Sequence, residues 1–240
     1  MDFREWIDRW MALARFRGKD VPEPESRIGQ ALVLWREHID PGWERQLDRR
    51  LLDPTRRYCR RNWLEDSVRR GEHVIEYEVL APDPDVDPTT SLGLTLVDGV
   101  NAVPLTTNPG AGRRKNVEAD MLLLVRNGRG EHVLQLVEVK TAANNTWYAV
   151  LENLCQMKFF SQAPNTPSVF HKRHPTLGLP ERLPAIPVVL AGSSWYYEAQ
   201  GQKGRSLPPA RMLVEEMRAQ SGVHVELAIW HAADRVIAPL

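Results

Sequence analysis

Residues 116–125 read NVEADMLLLV, and residues 132–141, just beyond the turn-forming NGRG, read HVLQLVEVKT. Both have the short, β-branched and leucine-rich character of strands bound for a core. Each nevertheless carries ionisable groups where apolar ones would serve folding better: Asp120 in the first, Glu138 and Lys140 in the second. Side chains alternate across a strand, so Glu118, Asp120, Leu122 and Leu124 share one face, and Leu134, Leu136, Glu138 and Lys140 share another. If the strands pair through their short turn, the leucines meet at one end and the charged groups converge at the other.

Working outward, the N-terminal third has helical spacing. FREWIDRWMALARF (3–16) and ESRIGQALVLWREHI (25–39) each place apolar residues on one helical stripe, with Trp6, Trp10, Trp35 and Trp43 as core candidates. Asp40-Pro41 and Asp53-Pro54 each set a capping acid before a proline, predicting two further helices. From residue 73 the period shortens to two: HVIEYEVLA (73–81) predicts a strand, and Asp98-Gly99 within LGLTLVDGVNAVPL (92–105) predicts a hairpin. After the decisive pair come a helix over 144–160, a proline-rich loop over 163–187, a strand over 186–196, a helix over 208–220 and a strand over 223–230. The expected architecture is α/β, of the mixed α+β kind. A helical N-terminal region (1–53) precedes a core (54–240) in which helices flank a central mixed sheet.

Composition narrows the functional classes. The 240-residue chain has 31 Lys and Arg against 31 Asp and Glu, so any polyanion-binding surface must be local. No apolar run reaches the roughly 20 residues of a membrane span, and MDFREWIDRW has no signal-peptide character. Cys59 and Cys155 stand apart without paired spacing, giving neither a disulfide framework nor a zinc site. A reducing, cytoplasmic setting is expected. The glycines of NPGAGRRKN and GQKGRS lack phosphate-loop spacing, His171 and His174 have no ligand partner at useful spacing, and Ser193-Ser194 forms no nucleophile elbow.

Two carboxylates with a lysine beside them suit a hard divalent cation, which takes oxygen ligands. Such an ion polarises a phosphoryl oxygen and lowers the pKa of bound water. An acidic residue on one strand, Glu-x-Lys on the next and then a helix resembles the PD-(D/E)xK nuclease superfamily. Asp120 matches the acidic position and Glu138-Val139-Lys140 the second half-motif; Ala119 replaces the usual proline. The family core is similar to helix, three-stranded meander, helix, strand, an order that residues 54–196 follow with the hairpin near 92–105 as an insertion.

The resemblance implies a restriction-endonuclease-like core and a site holding Mg²⁺ or Mn²⁺. Asp120, Glu138 and the Val139 main-chain carbonyl would be ligands, and Lys140 would serve the attacking water. Gln156 on the following helix would join the site, with Glu118 and Glu65 in support. It further implies a DNA endonuclease, with RNA left open, acting as a homo-oligomer or as the cutting subunit of a defence, restriction or transposition system. Basic residues near the site bear on this: Arg113, Arg114 and Lys115, in the loop entering the Asp120 strand, are the expected phosphate contacts. The competing expectation is a catalytically inactive nuclease-fold protein that binds or assembles through its tryptophan-rich helices.

Overall fold

A computed structural model describes residues 1–17, 20–40, 44–45, 71–80, 85–107, 117–141, 145–161, 164–197 and 204–240. Its centre is a mixed sheet of seven strands in sequential order: β1 (Glu44–Arg45), β2 (Leu94–Thr107), β3 (Val117–Asn127), β4 (His132–Lys140), β5 (Ala185–Gly192), β6 (Glu226–His231) and β7 (Val236–Pro239). Strands β1 to β4 are antiparallel, β4 to β6 are parallel, and β7 returns antiparallel. Parallel neighbours need crossovers. These contain helices α4 (Thr146–Phe160) between β4 and β5, and α7 (Leu207–Ser221) between β5 and β6.

The β3–β4 hairpin forms as its sequence predicts. The Asn127 side chain accepts the N–H groups of Arg129 and Glu131, and Gly130 takes a left-handed φ of 82°. The register Leu122–Leu136 and Leu124–Leu134 puts four buried leucines on one face, packed with Met157 and Phe160 of α4. Each buried leucine contributes about 1.5–3 kcal/mol. The opposite face carries Met121, Leu123, Val137 and Val139 and is covered by Ile75, Val79 and Leu80.

That covering segment corrects the reading of HVIEYEVLA. Residues Glu72–Leu80 form a helix, α3, not a strand. Its buried residues Ile75, Glu76, Val79 and Leu80 recur at helical spacing, and in nine residues this pattern coexists with alternation. The place beside β3 is taken by β2, a single 14-residue strand running through the expected hairpin. Asp98-Gly99 is therefore no turn. A Cβ at Gly99 would lie 2.4 Å from Leu80 Cδ2 and 2.9 Å from Leu123 Cδ2, so glycine is needed there for α3 to approach the sheet. Asp98 is buried, accepting from Arg173 Nη1 at 3.1 Å with His174 Nε2 3.0 Å away. His174 thus has an acidic partner after all, one distant in sequence.

Other differences are local. The proline-rich loop includes a short helix, α5 (Ser168–Arg173), and a 3-10 turn, while Ser193–Tyr197 is a helix, α6, instead of the end of a strand. Glu44–Arg45 pairs with β2 instead of continuing a helix from Asp40-Pro41; the helix expected after Asp53-Pro54 lies outside the described residues.

Helices α1 (Phe3–Ala12) and α2 (Pro24–Arg36) pack onto α4 and α7 through aromatic side chains. Trp6 and Trp10 stack at 5.0 Å, and their indole N–H groups donate to the Leu34 and Leu151 carbonyls. Trp147 reaches back from α4 to the Leu13 carbonyl. Among the described residues no helix is long and apolar enough to cross a membrane.

Candidate active site

The regular β3–β4 ladder stops at Met121–Val137. Beyond it β4 continues beside β5 through Glu138, Val139 and Lys140. Asp120 stands at the resulting fork, where its Oδ2 accepts the Val139 N–H at 2.8 Å in place of a strand carbonyl. The β2 side is irregular at the same level. Ala102, between the pairs Asn101–Met121 and Val103–Ala119, has a left-handed φ of 50°, an uncommon conformation for a residue with a Cβ.

Helix α4 brings the opposing groups. Asn145 caps it, accepting the Tyr148 N–H, and this fixes where the helix begins and which residues face the sheet. Gln156 is buried and donates Nε2 to Glu138 Oε2 at 2.5 Å and to the Glu118 carbonyl at 3.0 Å. Asn153 orients Gln156 by donating to its Oε1 at 3.2 Å and to the Leu136 carbonyl. Lys140, also buried, is hydrogen-bonded to Glu138 Oε1 and lies 3.0 Å from Glu152 Oε2. The structure thus brings Asp120, Glu138, Lys140 and Gln156 together, with Glu118 contributing a carbonyl to Gln156. Val139 meets Asp120 through its N–H. Glu65, Arg113, Arg114 and Lys115 lie outside the described residues.

Sequence reasoning misses two acids. Glu76 sits on α3, buried, with Oε2 accepting from Asn101 Nδ2 at 2.9 Å and Oε1 2.9 Å from His73 Nδ1. Once 73–81 is read as a strand, this glutamate cannot be aimed at Asp120. The signal that could have found it is Glu72 and Glu76 at i,i+4 ahead of the meander. Glu152 reads from sequence as part of a solvated helix face together with Gln156. In the structure that face turns to the polar end of β4.

The acids outnumber the cation, and their protonation reflects it. Burial, then Glu76, pushes Asp120 up to about 7. Burial, then Asp120 and Glu152, drives Glu138 well above the carboxylate range despite Lys140. Desolvation alone would lower Lys140, but Glu138, Glu152 and Asp120 outweigh it and hold the ammonium above its ordinary value. The three acids thus favour Lys140 as its ammonium. Burial, then Glu152, pushes the Cys155 thiol up, which disfavours its reactive thiolate.

Among the described residues no group of three or more His, Cys, Asp and Glu side chains is arranged to hold a metal ion as it stands. Both Glu138 oxygens are already engaged, by Lys140 and by Gln156. Comparison with family models, with curated proteins and with solved structures finds no match to this chain.

Proposed function

We propose that the chain is a metal-dependent nuclease with a restriction-endonuclease-like core, hydrolysing phosphodiester bonds, most simply as a DNA endonuclease. The observation that carries this reading is the fork at Asp120. A helix, an antiparallel meander, a second helix and a parallel strand follow in order, and the carboxylates, lysine and glutamine of three of these elements meet where β3 leaves β4.

The donor set fits a hard divalent cation. Carboxylate oxygens dominate it, and burial followed by the neighbouring acids raises the proton affinity of Asp120 and Glu138 more than Lys140 lowers it. Asp120, Glu138 and the Val139 carbonyl would hold Mg²⁺ or Mn²⁺, with Glu76 and Glu118 in support. Bound there, the ion would activate water and polarise the phosphoryl group. Lys140, charged throughout, offsets the negative charge that grows on the phosphoryl oxygens. Gln156 and Asn153 keep Glu138 oriented. Glu138 must release one of its two present partners to take an ion. A role in restriction, phage defence or transposition, as an oligomer or a subunit, follows only from the family analogy.

The test is incubation with Mg²⁺ or Mn²⁺ and plasmid, linear and single-stranded substrates. Lys140→Ala should lose cleavage by about 10²–10³ while still showing metal-dependent stabilisation in a thermal melt. A second reading, a non-catalytic binding protein, is favoured by the closed Glu138–Lys140–Gln156 arrangement. Wild-type protein that neither cuts any substrate nor gains thermal stability from either metal would make that reading the better one.

A further inference from the structure

A cavity of about 440 Å³ opens beside the acidic cluster, between α1, the start of β3 and α4. It falls within the range of small-molecule sites, about 300–1,000 Å³, and is far too small for a duplex. Ile7 and Met11 of α1 and Val117 of β3 give it apolar walls, and Tyr148 adds an aromatic one. Its polar wall is made by Glu118, Glu152 and Gln156. Two of these are tied directly to the candidate active site: Gln156 donates to Glu138, and Glu152 lies 3.0 Å from Lys140. An occupant of the cavity therefore sits one side chain away from the reacting groups.

We propose that this cavity receives a single unpaired nucleobase from the strand being cut, so that the enzyme engages nucleic acid at a single-stranded end or junction. The inference rests on the nuclease reading and adds a substrate class to it. Charge decides which part of a nucleotide enters. Glu118, Glu152 and the rim residue Asp8 repel phosphate, whereas carboxylates accept hydrogen bonds from the N–H groups of base edges. Glu152, which lines the cavity, also lies 3.0 Å from Lys140 through its Oε2. The apolar walls and Tyr148 suit the face of a base, the contact that proteins use to hold single strands without reading sequence. Arg15, exposed at the rim, is the group available to the phosphate left outside.

The larger cavity, about 800 Å³ between α1 and α2, is lined by residues such as Arg9, Arg27 and Val33 and includes none of the active-site groups. The buried Asp98 cluster is closed by its own partners. Of these three features, the smaller cavity is the one that opens onto groups reaching Glu138 and Lys140.

The test is binding in EDTA, where the nuclease reading allows no hydrolysis. A short DNA duplex with a single-stranded end carrying 2-aminopurine is compared with the same duplex made blunt. The frayed substrate should bind on the order of tenfold more tightly, with the 2-aminopurine emission changing on binding. Met11→Trp, which fills the cavity from α1, should abolish that difference and leave blunt-duplex binding unchanged; Ile7→Phe gives the same test if Met11→Trp does not fold. Equal affinity for both substrates in the wild type, or an undiminished preference in a folded cavity-filled variant, overturns the proposal. The two readings fail separately. Preference for the frayed end without any metal-dependent cleavage refutes the nuclease and keeps the subsite, and cleavage without that preference does the reverse.

Discussion

Two buried charged clusters lie in one sheet on strands separated by β3, and they are built on opposite plans. Around Asp98 in β2, a single carboxylate receives Arg173, His174 and the Gly99 N–H, so donors meet both of its oxygens. Around Glu138 in β4, Asp120 and Glu152 crowd one lysine while Glu76 adds its charge at Asp120, and Asp120 and Glu138 hold their protons above the usual range. A balanced cluster can fasten α5 to the sheet with no further help. One with surplus negative charge is a poor fastener, and it becomes favourable only when another cation arrives. On the nuclease reading, the contrast separates an ion pair that serves the fold from one that serves chemistry.

The largest expected effect falls on the balanced cluster. Asp98→Ala removes the buried carboxylate that faces the largely buried Arg173 guanidinium and should destabilise the protein by about 3–5 kcal/mol, read by urea unfolding. Its effect on metal-dependent stabilisation should be nil. If Asp98→Ala unfolds nothing but removes the response to Mg²⁺, the division between the clusters is broken.

The second prediction has the opposite sign. Asp120 is near 7 when folded and near 3.8 when unfolded, so the folded state holds an extra proton between those values. Its contribution to stability is complete below about pH 4 and is lost as the pH rises through 7. Asp120→Asn should therefore stabilise the metal-free protein above pH 7, by an amount on the order of a few kcal/mol. Added Mg²⁺ should recover that stability for the wild type and not for the variant. A pH–stability curve that Asp120→Asn leaves unchanged would show that the acid surplus is relieved in some other way.

The difference between the clusters also explains what could be read from the chain. The β3–β4 pair was legible because leucines at period two and a glycine-bearing NGRG turn report on strand faces directly. Asp120, Glu138, Lys140 and Gln156 follow from that register plus one helix. The α3 segment was not legible, since nine residues with apolar groups at 75, 79 and 80 satisfy both helical spacing and alternation. Only the long β2 strand, which claims the place beside β3, decides between them. Misreading α3 hid Glu76, and misreading Asp98-Gly99 as a turn hid the balanced cluster. In both cases the deciding contact is tertiary: Leu80 against Gly99, and Arg173 against Asp98 across 75 residues of sequence.

The smallest effect sharpens the comparison most, because it asks whether Gln156 belongs to the charged cluster or merely to the helix anchor. Its amide donates both to Glu138 Oε2 and to the Glu118 carbonyl. Gln156→Ala should destabilise the protein by about 1–3 kcal/mol, the scale of losing a buried hydrogen bond to a charged group. The two contacts are separated by a double-mutant cycle with Glu138→Gln, which keeps the shape of the side chain but removes its charge. If Gln156 acts on the charge of Glu138, the two effects should depart from additivity by about 0.5–1 kcal/mol, measured by urea unfolding at pH 8. Strict additivity would assign Gln156 to the Glu118 carbonyl alone. In that case Gln156 serves to fasten α4 to β3, and Glu138 is held for an incoming cation by Lys140 only.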